Sequence, residues 1–142
     1  MREILTFALS GAFAAIGLLH LWWARKPMGG DMKGAVPEID GKPAFQPGQA
    51  ATAGVALLFL ATAGGLAVLG GLVTTPVAPR WFLLLFGWAL ALVLLARAIG
   101  DFRLLGLFKQ PSPSAFARLD TLYYSPFCAL LALGVGTLTA TA

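Results

Sequence analysis

Few side chains in this sequence can do chemistry, and they lie far apart in primary order. His20 is the sole histidine and the one side chain whose ordinary pKa falls near neutrality. Arg97 and Asp101 stand four residues apart, and Asp120 is followed by Tyr123 and Tyr124. Gln46 and Gln49 precede a long apolar run. A histidine beside a carboxylate can serve as general acid or base, so His20 with Asp101 or Asp120 is a candidate catalytic pair. A guanidinium flanked by imidazole, phenol and amide groups can instead hold an anionic or carbonyl head group. On that second chemistry the candidate ligand-binding residues are His20, Gln49, Arg97, Asp101, Asp120, Tyr123 and Tyr124.

Each of these residues also has a purely structural use. Arg97 can extend its guanidinium to a membrane surface from one or two turns inside it. Asp120 near a helix N-terminus can balance the helix dipole or cap it. His20 beside Trp22 and Trp23 can be an interfacial ring. Asp101 is harder to place this way, because an acid near a helix C-terminus opposes the dipole and calls for a cationic partner. Arg97, four residues earlier, is the nearest candidate.

Other chemistries lack their residues. Cys128 is the lone cysteine, so there is no internal disulfide and no C-x-x-C pair. No G-x-S-x-G string occurs, and no cysteine lies near the histidine in sequence. One histidine and one cysteine supply no cluster of the usual zinc ligands, so no metal site is expected. His20 could give at most one axial ligand to a haem, and no cofactor is expected.

The elements that must position these groups follow from composition. Of 142 residues, 58% are hydrophobic and 11% charged, against about 45–50% and about 25% in soluble domains. The mean hydropathy is +0.82. Such a chain is neither water-soluble nor disordered. A membrane crossing needs ~20 apolar residues, and four stretches qualify: Ile4–Trp23, Ala50–Val73, Trp81–Gly100 and Leu119–Thr139. Backbone amides in lipid must be satisfied within their own segment, so these are helices. The expected fold is an all-α, polytopic four-helix bundle forming one domain, with long loops over 24–49 and 101–118. Met1-Arg2-Glu3 before an apolar run resembles a signal peptide, but the run continues to Trp22 and Trp23, and a retained span is expected.

Basic residues set the orientation. Arg25, Lys26, Lys33 and Lys42 follow the first span, and Arg103, Lys109 and Arg118 follow the third, with Arg97 just inside. The opposite side has Arg2 and Arg80. The positive-inside rule then places both long loops in the cytoplasm and both termini outside a plasma (inner) membrane. His20, Arg97, Asp101, Asp120 and the glutamines fall at one depth near the inner face, where intramembrane polar groups usually mark function. Val36, Ile39 and Phe45 give the first long loop apolar anchors with which to cover that layer.

Small residues four apart, such as Ser10 with Ala14 and Ala61 with Gly65, favour close helix approach within the bundle and are also compatible with a homo-oligomer. A single-chain channel is not expected, because the outer half of the spans has no ionisable residue to line it. The net charge of +4 suits membrane topology, and no basic run interleaved with aromatics suggests nucleic acid.

Several strings here resemble a family of small four-span membrane proteins, mainly bacterial, known only as a domain of unknown function. They are Leu19-His20-Leu21-Trp22-Trp23, Val36-Pro37, Gly41-Lys42-Pro43, Arg97-Ala98-Ile99-Gly100-Asp101-Phe102, Phe116-Ala117-Arg118-Leu119-Asp120 and Tyr124-Ser125-Pro126. Phe127 stands where the pattern has Leu. The resemblance implies a four-helix membrane fold and no activity or substrate. From the residues, the expected function is binding of a membrane lipid or a lipid-like or isoprenoid molecule at the inner polar layer. The alternative is an enzyme that uses a His/Asp acid–base pair on a lipid-like substrate.

Overall fold

The computed structural model describes residues 1–26, 34–39, 41–76 and 78–142. Helix α1 (Arg2–Ala24) is followed by a two-residue hairpin, β1 (Glu38–Ile39) and β2 (Lys42–Pro43), then by α2 (Gln49–Leu69) and α3 (Arg80–Ile99). The fourth helix begins as α4 (Ala115–Leu119), makes a π turn over Asp120–Tyr124, and continues as α5 (Ser125–Ala140). All four helical segments are long and apolar enough to cross a membrane, with mean hydropathies of 2.0, 2.0, 2.3 and 1.4. At about 1.5 Å per residue, the 21 residues of α2 span a hydrocarbon core of about 30 Å.

Helix ends follow local chemistry. Pro79 precedes the first turn of α3, where its missing N–H costs nothing. The Ser114 hydroxyl caps α4 by accepting from the Ala117 amide at 3.1 Å. The second span stops at Leu69 instead of Val73, because Gly70 closes the helix and Gly71 turns left-handed at φ 82°. The fourth begins at Ala115 instead of Leu119, the cap lying upstream of the apolar run.

The helices form two antiparallel hairpins, α1 with α2 and α3 with α5, joined through α2–α3 and α1–α5 contacts. Leu9 and Phe13 of α1 meet Leu66 and Leu69 of α2, Leu94 of α3, and Leu131, Val135 and Leu138 of α5 in one core. Leu57, Leu58, Leu92, Val93, Leu130 and Leu133 face outward, as expected of a bundle surrounded by hydrocarbon.

Burying apolar surface gains little in lipid, so these helices hold together by close approach. Gly17 lies against Leu60 and the Ala56 carbonyl, Gly70 against Thr6, and Gly87 against Thr139 and Leu69. Gly65, expected at a contact, meets the Phe86 ring, and Gly134 meets Leu9, whereas Gly11 and Gly64 have nothing nearby. Buried threonines are satisfied within their own helices: Thr6, Thr52, Thr62 and Thr139 each donate to the carbonyl four residues back, at 2.7–3.0 Å.

One end of the bundle gathers Arg2, which donates to the Leu69 carbonyl, and Arg80, which donates to that of Ala142. The other, the loop end, carries the hairpin and residues 100–114. There Val36 and Pro37 are buried, but Ile39 and Phe45 are about half exposed, so of the three expected anchors Val36 alone is buried.

Adding a methyl at Gly70 or Gly87 overlaps Thr6 or Thr139, so Gly70→Ala and Gly87→Ala are each expected to cost about 1–3 kcal/mol. Gly64→Ala, which meets nothing within 4 Å, should leave stability unchanged or raise it. Chemical unfolding of the three purified variants in one detergent checks this.

Candidate functional site

The loop end is organised by a carboxylate. Asp120, the first residue of the π turn, is 0% exposed. Its Oδ1 accepts from Arg97 Nη2 at 2.7 Å. Its Oδ2 accepts from the Gly106 amide at 2.8 Å and from Lys109 Nζ at 3.0 Å. Lys109 Nζ also donates to the Gly106 carbonyl at 2.9 Å and to Thr121 Oγ1 at 2.6 Å, so all three ammonium protons are used. A buried carboxylate costs several kcal/mol in lost hydration unless it is paired and hydrogen-bonded, and here both oxygens are engaged.

Segment 100–109 delivers two of these partners. After Ile99 the chain leaves α3 through Gly100 at φ 96° and folds back, so that Gly106, at φ 90°, lies against Gly100. A Cβ on either glycine would strike backbone of the other strand of the loop, so no other residue fits. The Leu107 and Phe108 amides donate to the Ala98 and Ile99 carbonyls at 2.8 and 3.3 Å, satisfying acceptors that a helix C-terminus leaves open. Asp101 Oδ1 accepts from the amides of Arg103, Leu104 and Leu105 at 2.7–2.9 Å.

Two of the expected site residues, Arg97 and Asp120, meet directly. The others have separate partners. Asp101 is exposed and binds its own loop rather than Arg97, because its short side chain reaches three amides that turn toward it. His20 Nδ1 lies 2.8 Å from the Ile16 carbonyl, and its ring packs on Trp23 and Phe59. No carboxylate among the described residues is hydrogen-bonded to it, so the proposed His/Asp pair is not formed. Gln49 is exposed and donates to the Lys26 carbonyl at 3.3 Å. Tyr124 donates to the Gly34 carbonyl at 3.0 Å and packs on Phe116. Tyr123, within the π turn, is 63% exposed and supplies no hydrogen bond to the cluster.

Lys109, Gly106 and Thr121 complete the cluster and were not singled out for it from sequence. The available signal was a lysine directly after Leu107-Phe108, together with the Gly100/Gly106 pair. Among the described residues no group of three or more His, Cys, Asp or Glu side chains gathers to hold a metal ion.

The family described as "Protein of unknown function (DUF3995)" matches residues 13–135, which include every member of this cluster. The chain belongs to the DUF3995 family. No curated protein and no solved structure matches it. In this DUF3995 chain the Arg97–Phe102 string therefore has a physical role: it supplies a partner to Asp120, a left-handed exit from α3 and a cap for the returning loop.

The cluster has two cations to one anion, a formal excess of one positive charge. Arg97 Nη1 is out of contact with solvent and has no hydrogen-bond partner, and the buried Ser125 Oγ, just past the π turn, also has none. A cleft of about 190 Å³ lies at the same end between Glu38 and Ile39 of the hairpin and the segment 103–117, with Lys109 among its walls.

Removing the carboxylate in Asp120→Ala should cost about 3–5 kcal/mol, since it strands two cations at once; thermal unfolding in detergent reads this. The three amides, led by that of Leu105 and then Arg103, hold the Asp101 carboxyl below its ordinary 3.8. Its contribution to the loop is full above 3.8 and is lost as pH falls through the lowered value. Hydrogen exchange at residues 103–105 should therefore speed up in Asp101→Ala at neutral pH. In the parent protein, the loosening from Asp101 protonation begins only as the pH drops below that ordinary value.

Proposed function

We propose that this protein is a multi-pass plasma-membrane protein that binds an anionic or carbonyl-bearing amphiphile, a lipid or isoprenoid-like molecule, at the loop end of its bundle. The observation that carries the reading is Arg97 Nη1, a charged donor buried without an acceptor beside a cluster with excess positive charge. A buried donor left unpaired costs about 1–3 kcal/mol, and a head-group oxygen would remove that cost. Ser125 Oγ offers a second unfilled donor nearby in the chain. The exposed apolar flanks of the helices would take the tail. Binding is favoured over acid–base catalysis because both Asp120 oxygens are occupied and His20 faces Trp23 and Phe59.

The same reading gives an orientation. Arg25, Lys26, Lys42, Arg103, Lys109 and Arg118 lie at the loop end, and Arg2 and Arg80 at the other. By the positive-inside rule the loop end is cytoplasmic and both termini are outside.

Arg97→Lys keeps a cation for Asp120 but supplies no second nitrogen. Native mass spectrometry of protein released from mixed-lipid nanodiscs should then show retention of anionic lipid weakened about tenfold or more, with little change in melting temperature. Unchanged retention rejects the proposal. For the orientation, single cysteines are placed at Thr74 and Ser112 in a Cys128→Ala background. An impermeant maleimide applied to intact cells should label Thr74→Cys and leave Ser112→Cys unlabelled.

A further inference from the structure

The segment between α3 and α4 is irregular, yet a run of its amides is satisfied within the protein. Every amide from Arg103 to Phe108 has a protein acceptor: Asp101 Oδ1 for three, Asp120 Oδ2 for Gly106, and the Ala98 and Ile99 carbonyls for the last two. The carbonyls of Arg103, Leu105 and Gly106 are taken by Gln110, Asp101 and Lys109. A loop in water has no need of this, because solvent serves its polar groups. At the edge of a membrane it lowers the cost of taking non-helical backbone out of water, a cost that hydrocarbon makes severe for any unpaired amide.

The side chains of the same loop run the opposite way. Phe102, Leu107 and Phe108 are 62%, 44% and 64% exposed, and the two rings lie 6.5 Å apart on the outside. Phe102 has φ 62°, a left-handed conformation that a bulky residue adopts rarely and at a cost. The backbone is thus held in a costly shape while an aromatic ring stays out of the core. The amides of Leu107 and Phe108 pair with the last carbonyls of α3, which sets this patch beside the final turn of a span. Leu95 and Ile99 on that part of α3 are themselves exposed, so the patch continues the outer apolar surface of the helix. Arg103, next to Phe102 in the chain, and Arg118, at the same end of the bundle, are exposed, while the one lysine of the segment, Lys109, is turned inward to Asp120.

We infer that segment 100–109 is a lipid-inserted anchor, with Phe102, Leu107 and Phe108 seated in the head-group–acyl boundary beside the end of α3 and Arg103 and Arg118 at lipid phosphates. Aromatic and apolar side chains with adjoining cations suit that boundary. The anchor depends on the helices crossing a bilayer and not on the ligand proposed for Arg97.

The test uses the full chain in liposomes with Cys128→Ala and single nitroxide-labelled cysteines at Phe102, Leu107 and Phe108, with Leu92 as a reference within a span and Ser112 as an aqueous one. Electron paramagnetic resonance then compares collisions with lipid-soluble oxygen and with a water-soluble nickel chelate. The inference requires oxygen to dominate at Leu107 and Phe108, as at Leu92, and the chelate to dominate at Ser112. Values at 107 and 108 that match Ser112 overturn it. Protection from both probes also overturns it, because protein would then cover the patch. Phe102→Cys adds the strained position; Leu107→Cys and Phe108→Cys decide the matter without it.

Discussion

A carboxylate shut away from water governs the loop end of this protein. Asp120 can stay ionised there only if hydrogen-bond donors replace its hydration, and the donors come from separate stretches of chain: Arg97 on α3, and Gly106 and Lys109 on the returning segment. One desolvated group thereby fixes the distance between α3 and the fourth helix and the path of the chain between them. A buried ion pair adds little net stability over a well-packed apolar replacement. Its effect is on specificity, since the three contacts form together in one register. At the opposite end, single arginines reach single carbonyls, and among the described residues no buried carboxylate imposes an arrangement.

Between the two ends, the bundle is built as hydrocarbon solvent demands. Contact is made where side chains are smallest, at Gly17, Gly70 and Gly87, and hydroxyls bond within their own helix. The threonines therefore bring no polar path through the middle. What polar capacity remains unfilled includes Arg97 Nη1 and Ser125 Oγ toward the loop end and Ser10 Oγ on α1.

The helices were legible because the thickness of a bilayer imposes a length that apolar runs reveal directly, and Pro79 marks the turn before α3, whereas Gly70 closes α2 short of the expected Val73. The shared depth of Arg97 and Asp120 was legible too, since antiparallel spans of known rise bring equal depths together, but their pairing was not. Lys109 was not, because its approach depends on two glycines with positive φ and on a loop that doubles back, neither of which leaves a periodic trace. Asp101 looked like a partner for Arg97 on helical spacing, but the helix ends at Ile99 and the carboxylate follows the amides of its own loop. His20 looked like a base until an i−4 carbonyl, a competitor that every helix supplies, came within hydrogen-bonding distance of Nδ1. Tyr123 and Tyr124, expected together, part company: Tyr124 reaches the Gly34 carbonyl while Tyr123 is exposed.

That turn, Asp120–Tyr124, has a bearing on how the chain tolerates change in length. Its ladder closes from the Ser125 amide to the Asp120 carbonyl, one residue wider than an α-helical step. Just beyond it comes Pro126, which has no amide to offer. The widened turn amounts to an insertion absorbed in place, and each residue of an α-helix advances its side chains by about 100°. Excising one residue there would relax the turn to ordinary pitch and leave Leu131, Val135 and Leu138 near their present phase, whereas the same excision within α5 would rotate those beyond it by that angle. The stretch between Leu119 and Ser125 is thus where this helix can lose a residue with its flanking faces kept in register.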